Sequence, residues 1–392
     1  MRALARLGAR LLLAAGAVLA AGGAAAANHA TAAGSPATAT CDNWPDWSTF
    51  KKHYVNEGGR VIDPSTPEQQ TTSEGQSYGL FFALVANDRE GFARILRWTE
   101  DNLAGGDLTA RLPAWQWGRR ADGSWGVIDD NAASDSDLWI AYALAEAGRL
   151  WNMPRYTSLA RLLADRIVRE ETVQIPGLGR TLLPGPRGFQ PQPGVYRLNP
   201  SYLPIQLMRR MAAFTGQPEW RQLTTSSIDV IVRSAPRGFA PDWVQVKADG
   251  GFAPDTDTKA VGSYNAIRVY LWAGMLAESD PVRPLLLKTL APAARHVEQH
   301  GTPPLDADTR AGSASGTGPA GFSAAMLPFL AASRLPQAAT QQQLRLQVRA
   351  PLERRDNYYE QVLTLFGQGW MDGRYRFAAD GTLKARWTCN AP

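Results

Sequence analysis

A rhythm of serine-led helical segments constrains this chain more than any other feature. Ser73, Ser134, Ser201 and Ser263 each stand where an apolar helical pattern begins, and the steps between them are 61, 67 and 62 residues. A serine hydroxyl accepts the free N–H groups of a helix's first turn, so each is expected to be an N-cap. Every step holds one such helix, a short link, a second helix and a long return rich in Gly and Pro. Twelve helices are expected, near 45–56, 73–86, 88–103, 135–151, 154–171, 201–214, 217–233, 263–277, 281–299, 321–333, 338–350 and 357–370. Many carry apolar residues at i, i+3, i+4 and i+7, as Leu159, Leu162, Leu163, Ile167 and Val168 do. A helical hairpin repeated six times predicts an all-α fold, an (α/α)6 barrel with alternate helices inside and the long returns gathered at one end. A two-domain helical bundle competes with it, because the repeat lies in helix rhythm and not in residue identity.

The front of the chain reads as an address. Arg2, Arg6 and Arg10 precede an apolar run, Leu11 to Ala21, that is too short to span a bilayer, and Ala24 to Ala27 offers small-residue cleavage sites. Residues 1–27 are therefore expected to be a signal peptide, 28–40 a small-residue linker, and 41–392 a single catalytic domain in the periplasm or outside the cell. Cleavage removes three arginines and no acids, lowering the formal charge from +5 to +2. No basic stripe survives to suggest nucleic acid, and no later apolar run is long enough to anchor the chain in a membrane. The two cysteines, Cys41 and Cys389, are expected to close the domain as one disulfide in an oxidising compartment; two unrelated thiols are the alternative.

The four long returns, 104–133, 172–200, 234–262 and 301–320, exceed ordinary connections and are expected to carry function. They hold Trp115, Trp117, Trp125, Tyr196, Trp243 and Phe252. Aromatic faces beside polar groups suit a sugar groove, since pyranose rings present apolar C–H faces to stack on. Trp115 and Trp117 are read as groove residues, whereas Trp98, Trp139 and Trp272, on helices, are read as core.

Two acids follow the serines, Glu74 in Thr-Ser-Glu-Gly-Gln-Ser-Tyr-Gly and Asp135 in Ala-Ser-Asp-Ser-Asp. Both could be ordinary first-turn acids that complement a helix dipole. Glycoside hydrolysis, however, needs such a pair: one acid protonates the leaving oxygen and a second carboxylate activates water or attacks. No G-x-S-x-G elbow or P-loop is present. His296 and His300, four apart on one helix, lack a third ligand and read as surface histidines, so neither metal nor cofactor is expected.

The stretch Ala133-Ser134-Asp135-Ser136-Asp137-Leu138-Trp139-Ile140-Ala141-Tyr142 and its continuation to Trp151 resembles the signature of glycoside hydrolase family 8. Thr71 to Gly79, Asn199-Pro200-Ser201-Tyr202, Gly321 to Met326 and Leu365 to Trp370 are similar to the endoglucanases that accompany bacterial cellulose synthesis. The resemblance implies an (α/α)6 barrel, an inverting mechanism without a metal, a β-1,4-glucan substrate and association with a cellulose-synthase complex. It implies that Glu74 is the proton donor and that Asp135 distorts the sugar and stabilises charge. Tyr78, Tyr202, Tyr264 and Arg268 fall at substrate-cleft positions. The family's general base falls at Asn265, in Ser263-Tyr264-Asn265-Ala266-Ile267-Arg268, where the family has Asp. An amide cannot accept a proton from water, so the expectation is a slow enzyme accelerated by Asn265→Asp, or a glucan-binding pseudoenzyme. Asp242, Asp255 and Asp257 are the nearby acids that could substitute. Chitosan and xylan are the remaining substrates for such a fold.

Overall fold

The computed structural model describes residues 44–349 and 358–387. The leader, the linker and both cysteines lie outside the described residues, and so does the expected Cys41–Cys389 bridge. Twelve α-helices are described: α1 (Pro45–Tyr54), α2 (Ser73–Val85), α3 (Arg89–Leu103), α4 (Ser134–Leu150), α5 (Pro154–Glu170), α6 (Ile205–Thr215), α7 (Pro218–Ser234), α8 (Ile267–Gly274), α9 (Arg283–His300), α10 (Ala320–Ala332), α11 (Pro336–Arg349) and α12 (Tyr358–Met371). None is long and apolar enough to cross a membrane.

The even-numbered helices form an inner ring and the odd-numbered ones an outer ring. α2, α4, α8 and α10 are buried over nearly their whole circumference, whereas α3 and α5 bury a single stripe. Consecutive inner helices pack on one another, and Phe366 of α12 closes the ring on Phe81 and Phe82 of α2, centroids 5.6 and 4.7 Å apart. Each outer helix backs the inner helix before it. α1, from the start of the chain, packs on α12 from its end and completes the sixth pair. The fold is the (α/α)6 barrel. Its axis is plugged by Trp139, Trp272 and Phe366, whose centroids lie 5.2–5.4 Å apart. Trp139 and Trp272 are thus core residues, as read. Close helix approach demands small residues: a Cβ on Gly367 would stand 1.9 Å from the Ala324 carbonyl oxygen.

The serine caps are corrected throughout. Thr72 caps α2, its hydroxyl accepting from Gly75 N at 3.0 Å, and the Ser73 and Ser134 hydroxyls are buried without a hydrogen-bond partner. Asn199 caps a short 3-10 turn, Pro200–Tyr202, so α6 starts at Ile205. α8 starts at Ile267, and the N–H groups of Ser263, Asn265 and Ala266 are accepted by Asp242 from the preceding return, at 2.8, 3.0 and 2.7 Å. Nor are the returns structureless. They fold into short antiparallel hairpins, such as Gln116–Arg119 with Trp125–Asp129 and Val195–Leu198 with Val244–Lys247, which satisfy their backbone groups.

Candidate active site

The inner helices all present their N-terminal turns at one end of the barrel, and the functional side chains stand there. Every residue of α2 is buried except Glu74, in its first turn. The neighbouring Gly75 is required by packing: a Cβ there would lie 2.4 Å from the Tyr358 hydroxyl. Glu74 opens on a cavity of about 360 Å³, lined also by Asp63, Tyr202, Tyr264, Asn265 and Arg268. That volume falls in the range of about 300–1,000 Å³ usual for small-ligand clefts. A larger cavity of about 630 Å³, beside Arg111, Asn131 and Arg187, contains none of the acids singled out above and is set aside as the reaction site.

Arg268, only 4% exposed, ties the cavity wall together. One guanidinium nitrogen, Nη1, bonds the Glu74 carboxylate and donates to the Tyr78 hydroxyl at 3.1 Å. The other donates to Asn265 Oδ1 at 2.9 Å and to Ser201 Oγ at 3.1 Å. Asp135 Oδ2 lies 3.6 Å from Nη1. A planar fork of donors is suited to holding several oxygens in fixed relation. Glu74, Asp135, Asn265, Tyr78 and Arg268 are therefore brought together, as the sequence reading requires. Tyr78 is buried behind the arginine, whereas Tyr264, half exposed, and Tyr202 form the cavity's aromatic wall.

Asp135 is 3% exposed, and burial pushes its carboxyl up to about 7. Its Oδ1 accepts from Ser136 N at 2.8 Å, while Oδ2 has no hydrogen-bond partner. Behind it Asp137 and Glu171 are fully buried and raised well above the carboxylate range, chiefly by burial, with the charge of Asp135 adding to both.

Trp115 and Trp117 are not in the wall of this cavity, although Trp117 pairs with Thr71, between the wall residues Gln70 and Thr72. Trp117 stacks on Trp125 at 5.5 Å, meets Trp98 edge-on at 5.3 Å and carries the Arg60 guanidinium 4.4 Å from its centroid. Trp98, read as core, is half-buried in this surface cluster. Of the three acids named as substitutes, Asp255 is buried in an ion pair with Arg197 at 2.8 Å, and Asp257 is exposed near the same arginine. Asp242 has one oxygen engaged by three N–H groups, and burial raises its carboxyl. None of the three lines the Glu74 cavity. The rings of His296 and His300 stack at 4.1 Å on α9, and among the described residues no cluster of metal-ligating side chains occurs.

Sequence reasoning missed Asp63, Gln70, Tyr358 and Tyr359 in the cavity wall. For the two tyrosines a signal existed, since they open an inner helix as Ser73-Glu74 and Ser134-Asp135 do.

The family profile described as "Glycosyl hydrolases family 8" matches residues 23–373. The chain is 48% identical over 349 residues to an endoglucanase of Escherichia coli strain K12, covering 89% of this chain and 92% of that protein. It is 47% identical over 352 residues to an endoglucanase of Xanthomonas axonopodis pv. citri, covering 90% and 91%. The crystal structure of endo-1,4-D-glucanase from Vibrio fischeri ES114 superposes with a TM-score of 0.84 at 47% identity, covering 88% of this chain and all of that one.

Proposed function

Because the chain belongs to glycosyl hydrolases family 8, we propose that it is an endo-acting β-1,4-glucanase that cleaves internal bonds of cellulose-like chains with inversion at the anomeric carbon. The observation that carries this is the isolation of Glu74 as the one unburied residue of an inner helix, opening on an aromatic-walled cavity. In that position its carboxyl can deliver a proton to a glycosidic oxygen while Tyr202 and Tyr264 pack against sugar faces. Asp135, behind the cavity wall with one oxygen 3.6 Å from the Arg268 guanidinium, supplies negative charge behind that arginine as positive character develops at the anomeric carbon.

The test is incubation with carboxymethylcellulose, following reducing ends and viscosity together. An endo-glucanase lowers viscosity early, before many ends accumulate. A second reading, a glucan-binding pseudoenzyme, draws on Asn265, whose amide oxygen is engaged by Arg268 at 2.9 Å and Asn199 at 3.2 Å. Retardation in a cellulose-containing gel without any release of ends would favour it.

The leader-like front of the chain supports export to the periplasm or beyond, and the resemblance to endoglucanases of cellulose synthesis supports work beside a cellulose-synthase complex. Cell fractionation with N-terminal sequencing tests the first, with the mature chain expected to begin near residue 28. Co-purification with the synthase tests the second.

A further inference from the structure

Hydrolysis with inversion requires a second carboxylate that takes a proton from the attacking water. Asn265 cannot do this, and Asp242, Asp255 and Asp257 do not reach the cavity. Apart from Glu74, the cavity wall contains one carboxylate, Asp63. It precedes α2, in the segment that leads from α1 to the Glu74 turn.

Asp63 is fixed on one side by its own turn. Its Oδ1 accepts from Ser65 N at 2.9 Å and from Ser65 Oγ at 2.6 Å, and its own N–H donates to the Gln70 carbonyl at 2.9 Å. Oδ2 takes no part in those bonds. Among the described residues no lysine, arginine or histidine forms an ion pair with Asp63, in contrast to Glu74, Asp135 and Asp255, which all face arginines. Asp63, Glu74 and Tyr358 line the same cavity. The tyrosine hydroxyl packs over Gly75, next in the chain to Glu74, and its acidity is weakened by burial first and then by the charge of Asp63. The two carboxyls therefore open on one cavity of about 360 Å³.

We infer that Asp63 is the general base of this enzyme, in the role that Asn265 cannot fill. The inference rests on the endoglucanase reading above. In the step it describes, water attacks the anomeric carbon and the bond from that carbon to the leaving oxygen breaks. The leaving oxygen takes the Glu74 proton, and the water's proton passes to Asp63. Solvent then returns a proton to Glu74 and removes one from Asp63, so the pair starts the next cycle unchanged. Asn265, held by Arg268 and Asn199, is left to hydrogen-bond the sugar or the water.

The test is turnover on cello-oligosaccharides by four proteins: the chain itself, Asp63→Asn, Asn265→Asp, and the two substitutions combined. Asp63→Asn is expected to lower kcat by about 10²–10⁴-fold, the usual contribution of a general base, with KM little changed. In the Asp63→Asn background, Asn265→Asp is expected to restore activity by supplying a carboxylate on the same wall. Circular dichroism and thermal melts on each variant separate loss of chemistry from loss of fold. The inference is overturned if Asp63→Asn keeps more than a tenth of kcat or raises only KM. It is equally overturned if Asn265→Asp alone gains a hundredfold, which would mean the chain had no base. Failure of the underlying reading looks different: none of the four proteins would release reducing ends.

Discussion

The two ends of helix α4 carry buried acids of opposite character. Glu146, toward the C-terminal end, is fully buried and saturated: Arg210 bonds it, Arg149 donates at 2.5 Å and Leu383 N at 2.8 Å. Eleven residues earlier, about 16 Å along the helix, Asp135 is nearly as buried but has an unpartnered Oδ2 and a single arginine at 3.6 Å, which it shares with Glu74. Burial alone therefore says little about role. Saturation separates them, because an acid with every lone pair engaged fastens the floor of the barrel, while one with a buried, unsatisfied oxygen costs stability.

If that contrast holds, substitutions at the mouth change rate and spare the fold, and substitutions at the floor do the reverse. The largest effect is expected for Glu74→Gln, a fall in kcat of about 10²–10⁴-fold with cello-oligosaccharide binding retained, measured by steady-state kinetics and by calorimetry. Turnover above a tenth of the original would remove Glu74 from the acid role. Next comes Glu146→Gln, which breaks a buried ion cluster and is expected to cost about 3–5 kcal/mol in denaturant unfolding. At low temperature its kcat should stay within about twofold of the parent. A smaller effect is expected of Asp135→Asn, a drop of about a hundredfold in kcat, of order 2.7 kcal/mol, with Tm unchanged or raised. A change confined to KM would show that Asp135 only holds substrate.

The smallest expected effect is on the pH dependence of stability. The folded Asp135 carboxyl sits at about 7, above its ordinary 3.8, so between those values the folded state binds the proton that the unfolded state has released. The stabilisation is present in full below about pH 4 and is lost as pH rises to about 7. Asp137 and Glu171, raised in the same direction by burial, add to the trend. Asp135→Asn should flatten the fall of Tm between pH 4 and 7, and an unaltered slope would count against the burial account.

The helix order and the mouth were legible because both follow from periodicity: inner helices are apolar all round, outer ones on one stripe, and Glu74 and Asp135 open inner helices. The caps were not legible. At α8 the donors are satisfied by Asp242, more than twenty residues upstream, and at α2 by Thr72, one residue earlier than expected. Trp117 stacks on Trp125 and carries Arg60 over its ring, and an indole stacks as well on another indole or on arginine as on a sugar, so composition cannot tell which. Asp63 lies in a loop with no periodic pattern, and only folding brings it to the Glu74 cavity. Arg268 was placed by resemblance, but its part as the common partner of Glu74, Asp135 and Asn265 is a property of three chain segments meeting.

Hydrolysis with inversion at the Glu74 mouth is tested most directly by proton NMR of a soluble cello-oligosaccharide during the first minutes of reaction. The expected result is newly formed reducing ends in the α configuration, with β appearing later by mutarotation, and no new ends from Glu74→Gln. Initial release of β ends would contradict inversion and make a second carboxylate a nucleophile. An unchanged rate in Glu74→Gln would place the chemistry elsewhere in the molecule.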